Sequence, residues 1–288
     1  MITNDNRTTL ITGASSGIGA AFAKKLASLG YDLVLVARRE AKLIQMATDL
    51  QTQFPIHAQV LVGDLSRSAG IEQVEQRIAE LPNLQMLVNN AGFGVPGKFA
   101  EVSLERTLAM IEVHVFASVQ LCHAALPGMI ARNKGGIVNV SSIGAFIPRA
   151  GDATYCATKA YLVAFSQALQ GELLGTGIRI QALCPGFVPT EFLDHPDYEV
   201  LQVKHKIPKW LWTSAEEVVE QSFRSLKRDQ VICIPGFKNR ILVSMARLGL
   251  AGVLTQRLAK SLRESNQLST KHLSTSMVDQ LSTRMRKP

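Results

Sequence analysis

Short runs of apolar and β-branched residues alternate with longer amphipathic stretches along most of the chain. The short runs predict seven strands, over residues 8–12, 33–37, 59–62, 86–89, 136–140, 179–183 and 231–234. The amphipathic stretches predict helices over residues 18–29, 40–53, 68–80, 104–131, 153–174 and 215–227. Because the strands are hydrophobic almost throughout, we expect a parallel sheet with helices on both faces. The pattern predicts one doubly wound α/β domain over residues 1–235 and an extension over residues 236–288.

The positive charge of the chain is concentrated in this extension. The net charge is +8, and the ten basic and two acidic residues after Pro235 account for all of it. The body of the protein is therefore electroneutral, and its composition does not indicate a nucleic-acid partner. Residues 240–262 are apolar and basic, and Gly249 and Gly252 favour two short helices over one long helix. Such helices suit peripheral contact with an anionic membrane, and equally packing on the domain or on a second subunit.

Three further features predict a cytoplasmic protein. The first seven residues have no apolar run after the first charge, so no secretory signal is expected. No stretch approaches the roughly 20 apolar residues of a membrane-spanning helix. The cysteines lack metal-ligand spacing and are expected to be buried in a reducing compartment, at positions Cys122, Cys156, Cys184 and Cys233. We expect no bound metal.

A glycine-rich turn lies between the first predicted strand and the first predicted helix. Its sequence is Thr12-Gly13-Ala14-Ser15-Ser16-Gly17-Ile18-Gly19. Glycines allow a tight turn and a close approach of the backbone to phosphates, and a helix N-terminus favours their negative charge. The turn predicts a binding site for the pyrophosphate of a dinucleotide. The alternative is a strand-to-helix turn that binds no ligand.

The end of the second predicted strand carries Arg38 and Arg39, with no acidic residue before Glu40. In dinucleotide-binding folds an acid at this point holds the ribose 2′-hydroxyl, whereas an arginine accommodates a 2′-phosphate. Guanidinium groups pair well with phosphate, and a carboxylate would repel it. The sequence therefore predicts NADP(H) rather than NAD(H). The alternative is a pair of solvated arginines at the start of a helix.

Tyr155 and Lys159 are four residues apart in a predicted helix, so their side chains share one helical face. A neighbouring ammonium favours the phenolate, which predicts a tyrosine pKa below its usual value of about 10. An acid/base tyrosine together with a dinucleotide site indicates a redox enzyme.

These motifs occur in an order and at spacings that resemble the short-chain dehydrogenase/reductase superfamily. The resemblance covers roughly residues 8–235 and rests on Thr12–Gly19, Asn89-Asn90-Ala91-Gly92, Ser142, Tyr155 with Lys159, and Pro185-Gly186. It implies a Rossmann sheet of order 3-2-1-4-5-6-7 in one domain that holds both cofactor and substrate. Within the superfamily, the chain is similar to the branch that acts on acyl chains, steroids and other apolar carbonyl compounds.

The resemblance also implies catalytic roles. Tyr155 would be the general acid in carbonyl reduction, and Lys159 would lower its pKa and bind the nicotinamide ribose. Ser142, thirteen residues before the tyrosine, fits the position of the family's substrate-binding serine better than Ser141 does. His114 occupies the position of an asparagine that holds a water in a proton relay. The histidine either replaces that asparagine or is a packed core residue.

A larger set of cofactor-binding residues follows from the same resemblance. The phosphates would be contacted by Gly13, Ser15, Ser16, Gly17, Ile18 and Gly19, and the adenosine by Arg38, Arg39, Asp64 and Leu65. The floor of the site would be formed by Asn90, Ala91 and Gly92. The nicotinamide end would be contacted by Tyr155, Lys159, Pro185, Gly186, Val188 and Thr190. For Thr190, a simple helix cap is the alternative.

Residues 191–213 correspond to a segment that covers the substrate in this family. An apolar cover is predicted from Phe192, Leu193, Tyr198, Trp210, Leu211 and Trp212. Basic residues in the segment would either meet a CoA or acyl carrier protein or form a solvated rim; they are Lys204, His205, Lys206 and Lys209.

The combined expectation is an NADPH-dependent reductase of an apolar ketone, aldehyde or 3-ketoacyl compound. The alternatives are a 3-ketoacyl-thioester reductase and a non-catalytic NADPH-binding sensor or membrane scaffold. Members of the family commonly pair through helices that correspond to residues 104–131 and 153–174, so a homodimer or homotetramer is expected.

Overall fold

The computed structural model describes residues 7–194 and 207–248. Seven parallel strands form one sheet: β1 Thr8–Thr12, β2 Asp32–Ala37, β3 Ala58–Val62, β4 Leu84–Asn89, β5 Gly135–Val140, β6 Ile178–Leu183 and β7 Ile232–Cys233. The spatial order is β3-β2-β1-β4-β5-β6-β7, which confirms the predicted sheet. The principal helices are α1 Gly17–Ser28, α2 Glu40–Gln53, α3 Ser68–Ala79, α4 Leu104–Ile111, α5 Ala117–Ala131, α6 Ala153–Glu172, α7 Ala215–Leu226 and α8 Phe237–Arg247.

Helices cover both faces of the sheet because successive strand residues point to opposite sides. On β1, Leu10 packs in a cluster with residues of α3 and α5, such as Val74 and Leu121. The next residue, Ile11, packs in a separate cluster with Phe22 of α1 and residues of α7. Both clusters are buried, so the continuous hydrophobicity of the strands has the predicted cause.

The strand order reverses between β1 and β4, which are direct neighbours in the sheet. In open α/β sheets, ligands bind in the crevice that opens at such a switch point, beyond the carboxyl ends of the strands. The glycine-rich turn follows β1 and the Asn90–Gly92 segment follows β4, so both lie at this crevice.

The helical stretch over residues 104–131 has the predicted extent, but it is not one regular α-helix. A π-helical turn, Glu112–Phe116, separates α4 from α5 and buries Val113 and His114. Single π-turns inside α-helices are often found at functional sites. By length and composition, Leu104–Ala131 also qualifies as a candidate membrane span, and part of it is buried inside the protein. The expectation that no stretch reaches these criteria was therefore wrong.

The last helix of the described chain is α8, which begins three residues before the predicted start of helical structure at residue 240. Asn239 and Val243 of this helix are buried in the compact unit that extends to Val243. Ser244–Leu248 are the described residues of a second unit. The boundary at residue 235 stays a prediction, and the short helix predicted after Gly252 lies outside the described residues.

Candidate active site

The glycine-rich turn is shaped by backbone conformations that glycine favours. Gly13 and Gly17 have φ angles of +65° and +58°. A Cβ atom would lie 2.7 Å from Asn90 Nδ2 at the first position and 2.9 Å from Thr190 Cγ2 at the second. Ser16 is the residue before α1, and within the described part of the chain its side chain makes no hydrogen bond to the first turn of this helix. The first N–H groups of α1 are therefore available to an anion, and the cradle fits a pyrophosphate.

Thr12, the last residue of β1, ties this turn to the segment after β4. Its hydroxyl accepts hydrogen bonds from the backbone N–H groups of Asn90 and Ala91, both at 3.0 Å, and donates to the Val88 carbonyl at 3.3 Å. The Asn90 side chain in turn donates to the carbonyls of Thr12 and Gly13, at 2.9 and 3.1 Å. Sequence reasoning placed Thr12 in the motif but gave it no role of its own.

Ser142, Tyr155 and Lys159 are brought together at the carboxyl end of β5. Ser142 follows this strand, and its Oγ accepts a hydrogen bond from Gly144 N at 3.1 Å and hydrogen-bonds with Tyr155. Lys159 Nζ lies 5.7 Å from the centre of the Tyr155 ring and donates to the Val140 carbonyl at 2.9 Å.

Ser141 lies in a different environment from Ser142. It is buried, and its hydroxyl donates to the backbone carbonyl of Lys159 at 2.7 Å, which joins the end of β5 to α6. Of the two serines, Ser142 is therefore the one that hydrogen-bonds with the tyrosine.

The predicted lowering of the Tyr155 pKa requires a correction. Burial raises the pKa of Tyr155 to about 12, against the opposing effect of the hydrogen bond with Ser142. Burial also lowers the pKa of Lys159 to about 7. Removal from water penalises both charged forms. Near neutral pH the lysine is thus only partly charged, and the cation whose charge opposes the effect of burial on the Tyr155 pKa is Arg149.

His114 has a hydrogen-bond partner at each ring nitrogen. Nε2 accepts from the backbone N–H of Phe93 at 3.2 Å, and Nδ1 lies 2.9 Å from Thr158 Oγ1. Because the Thr158 hydroxyl donates its proton to the Tyr155 carbonyl at 2.8 Å, its oxygen accepts from Nδ1–H. These contacts define a neutral ring with the proton on Nδ1.

Electrostatics agree with a neutral His114. Burial, with a smaller contribution from the charge of Lys159, holds the pKa of His114 well below its ordinary value. This satisfied, buried histidine matches the packed-core alternative, while its relay role stays a prediction. A Cβ at Gly92 would come within 2.7 Å of Nε2, so the cofactor-floor segment closes directly over the ring.

The two arginines after β2 point to different partners. Arg39 donates to Ser15 Oγ at 2.7 Å and to Ser16 Oγ at 3.0 Å, so its guanidinium lies against the glycine-rich turn. The charge of Arg38 acts on Asp64 at the end of β3. Burial tends to raise the pKa of Asp64, but hydrogen bonds from Ser66 and the charges of Arg38 and Arg67 bring it below its ordinary value. Leu65 beside it is buried.

Two further charged residues, Glu191 and Lys42, lie beside Arg39 and were not among the predicted site residues. Glu191 Oε2 accepts from Arg39 Nη1 and Oε1 accepts from Lys42 Nζ, both at 2.5 Å. These hydrogen bonds, that of Lys42 first, lower the pKa of Glu191 to about 2. Nothing in the sequence indicates the contact, because 152 residues separate Arg39 from Glu191.

The segment after β6 lies between the turn and the catalytic candidates. The Pro185 carbonyl accepts from Ile143 N at 2.9 Å, next to Ser142. A Cβ at Gly186 would lie 2.6 Å from the Asn239 side chain of α8. Val188 is buried, and its carbonyl accepts from Thr190 N at 2.8 Å. Pro185–Thr190 therefore reaches from Ser142 to Gly17.

Part of the predicted apolar cover lies beside the site. The Phe192 ring centre is 5.9 Å from that of Tyr155, and Trp212 is 6.1 Å from Phe187. Leu211 is half-buried, whereas Trp210 is 55% exposed and Lys209 is exposed. Outside the described side chains lie Leu193, Tyr198, Lys204, His205 and Lys206.

The remaining chemical expectations concern metal and thiols. Within residues 7–194 and 207–248, no group of His, Cys, Asp and Glu side chains is arranged to hold a metal ion. The four cysteines are buried, as expected. Burial raises the pKa of Cys122 to about 12 and that of Cys233 to about 11, so neither thiol is prone to form a thiolate near neutral pH.

The chain resembles known proteins both in sequence and in structure. A family model described as short chain dehydrogenase matches residues 7–197. The chain is 30% identical to human inactive hydroxysteroid dehydrogenase-like protein 1, with 81% of each chain covered. Its fold matches a short-chain dehydrogenase from Sphingobium yanoikuyae in complex with NADPH, with a TM-score of 0.76 and 33% identity over 85% of this chain and 95% of the other. It also matches the bulky-bulky ketone specific alcohol dehydrogenase from Comamonas testosteroni, with a TM-score of 0.72 and 29% identity over 86% and 94%.

A doubly wound sheet with a glycine-rich turn at its switch point, and a serine hydrogen-bonded to a tyrosine nearby, is an arrangement typical of dinucleotide-dependent oxidoreductases. The matched residues extend from β1 past the predicted nicotinamide segment. The chain belongs to the short-chain dehydrogenase/reductase family.

Proposed function

We propose that the protein is an NADPH-dependent oxidoreductase that reduces the carbonyl of an apolar substrate to an alcohol. The substrate class is a ketone, an aldehyde or a 3-ketoacyl compound. The observation that carries this proposal is the cluster of Ser142, Tyr155 and Lys159 beside a glycine-rich turn that fits a pyrophosphate.

A nicotinamide dinucleotide, when bound, supplies the hydride for the carbonyl carbon. Tyr155 donates its phenolic proton to the carbonyl oxygen, and the Ser142 hydroxyl stabilises the negative charge that develops there. The raised pKa of Tyr155 keeps the phenol protonated at neutral pH, as a general acid requires. The protonated fraction of Lys159 stabilises the phenolate that remains after proton transfer.

The contacts of Arg39 support the preference for NADPH. The Arg39 side chain is 46% exposed, and its guanidinium lies against Ser15 and Ser16. Glu191 accepts hydrogen bonds from both Arg39 and Lys42, so the two cations lie close together. Two cations beside the pyrophosphate turn favour a 2′-phosphate. The neighbour in complex with NADPH supports the same cofactor.

The aromatic rings near Tyr155 support an apolar substrate. Phe192 covers one side of Tyr155, and the His114 ring is edge-on to it. The ketone-specific neighbour is consistent with this substrate class.

The test is NADPH oxidation across a panel of ketones, aldehydes and 3-ketoacyl thioesters, repeated with NADH. Tyr155→Phe should reduce kcat at least about 100-fold while leaving NADPH affinity nearly unchanged, because only the hydroxyl that carries the transferable proton is removed. Tyr161→Phe is the matched control, since Tyr161 is exposed on the same helix and stacks on Phe165. Full activity of Tyr155→Phe would refute the mechanism.

A non-catalytic NADPH-binding protein is the second candidate. One relative, whose alignment covers 81% of this chain, is named inactive, and this favours a non-catalytic protein. The Ser142, Tyr155 and Lys159 cluster argues against it. Tight NADPH binding without turnover on any member of the panel would support it. A salt-sensitive KM for CoA thioesters would instead indicate a 3-ketoacyl-thioester reductase that uses Lys204, His205, Lys206 or Lys209.

We also infer a homodimer or homotetramer that pairs through residues 104–131 and 153–174. Exposed apolar side chains in these stretches support it: Leu104, Leu108, Phe116, Ile130 and Leu174. Light scattering measures the assembly directly. Peripheral membrane contact through residues 240–262 and a cytoplasmic location stay predictions, and liposome flotation tests the first of them.

A further inference from the structure

The Glu191 carboxylate occupies a position that bears on cofactor choice. It directly follows Thr190 in the segment after β6, and each of its oxygens accepts from a different cation, Arg39 or Lys42. Arg39 at the same time donates to Ser15 and Ser16. The carboxylate is therefore held at the edge of the glycine-rich turn.

These donors are the ones that a 2′-phosphate would need. A carboxylate and a phosphate both present oxygens that accept hydrogen bonds from guanidinium and ammonium groups. The two groups therefore compete for the same N–H donors. Arg39, Lys42 and Glu191 keep side-chain exposures of 46%, 49% and 43%, so the ion pairs are open to solvent and to a ligand. An exposed pair of this kind is weak enough to be exchanged for a phosphate.

We propose that Glu191 is a specificity-determining residue that competes with the 2′-phosphate of NADPH for Arg39 and Lys42. This inference rests on the proposed NADPH-dependent function. NADH has no 2′-phosphate, so it binds without displacing the carboxylate. NADPH must displace Glu191, and its affinity is correspondingly lower than the two cations alone would allow. Glu191 thus lowers the ratio of NADPH to NADH affinity that Arg39 raises.

Glu191→Gln is the direct test, because it removes the charge while keeping the shape of the side chain. We expect affinity for NADPH and for adenosine 2′,5′-bisphosphate to rise about three- to tenfold, the range that loss of one or two exposed ion pairs implies. Affinity for NADH and for AMP should stay within about twofold. Isothermal titration calorimetry measures all four ligands without any turnover.

Glu220→Gln is the matched control. Glu220 is a partly exposed glutamate that pairs with Lys25, between α1 and α7 and apart from the Arg39 contacts. This variant should leave all four affinities unchanged. As a second control, Glu191→Gln should have no effect in a background that already carries Arg39→Gln and Lys42→Gln, because the competing donors are then gone.

The outcomes separate the two proposals. A wild-type protein that binds no NADPH would overturn the proposed function and this inference with it. Wild-type protein that binds NADPH, with a Glu191→Gln variant whose ratio of NADPH to NADH affinity is unchanged or reduced, would overturn only the role of Glu191. A gain that persists in the Arg39→Gln and Lys42→Gln background would do the same.

Discussion

The His114 ring is edge-on to the Tyr155 ring, with 5.7 Å between the ring centres. The histidine belongs to the π-helical turn between α4 and α5, and Thr158 links it to the backbone of Tyr155 one turn along α6. The acid/base candidate is thus held in place by a neutral, fully bonded imidazole on an adjacent element.

His114→Ala should destabilise the protein by about 2–4 kcal/mol, because it leaves the Phe93 N–H without its acceptor and opens a cavity. Urea denaturation measures the free energy of unfolding. His123→Ala, at an exposed position on α5, should change it by less than about 0.5 kcal/mol. Equal effects of the two variants would mean that the hydrogen bonds of His114 contribute little.

Lys159 should make the free energy of unfolding increase with pH above neutrality. Its pKa is lowered to about 7 in the folded protein from an ordinary value of 10.5, so between these values the unfolded chain binds more protons. Stability attributable to this group therefore increases as pH rises through that window, with a slope of at most about 1.4 kcal/mol per pH unit.

The measurement is urea denaturation between about pH 7 and 9, on protein without cofactor, for wild type and Lys159→Met. The upper limit avoids the thiols of Cys122 and Cys233, whose raised pKa values make stability fall with pH from about 9 upward. The variant should show a shallower rise than wild type. An identical slope would indicate that Lys159 is charged in the folded protein throughout this range.

Gly17→Ala should weaken NADPH binding by at least about tenfold and destabilise the fold by about 1–2 kcal/mol. Its φ of +58° is unfavourable for alanine, and the added methyl group would press on Thr190. Fluorescence titration of NADPH and urea denaturation measure the two effects. Gly171→Ala is the control, because a Cβ there meets nothing within 4 Å and the residue is helical. It should be neutral or slightly stabilising.

Local sequence patterns predicted the sheet well, because each strand is a short apolar run bounded by polar or glycine-containing segments. The observed bounds of β1 match the prediction, and those of β4 differ by two residues at one end. The π-turn at residues 112–116 was missed because the local apolar pattern is that of an α-helix. Its bonded histidine depends on Phe93 and Thr158, which are distant in sequence.

The candidate site was predictable only where residue spacing carries the information. Tyr155 and Lys159 share a helical face by their spacing, but their pKa values depend on burial, which spacing does not reveal. Likewise the two arginines after β2 were recognised together, whereas their divergence depends on Glu191 and Asp64 from other parts of the chain.

The hydrogen bonds of the Thr12 hydroxyl bear on how tightly a dinucleotide can bind. By bonding to Asn90 N, Ala91 N and the Val88 carbonyl, it joins the ends of two adjacent strands through a single oxygen atom. The two walls of the crevice are thereby fastened to each other before any dinucleotide arrives. Little main-chain freedom remains to be lost on association, so more of the contact energy can appear as affinity.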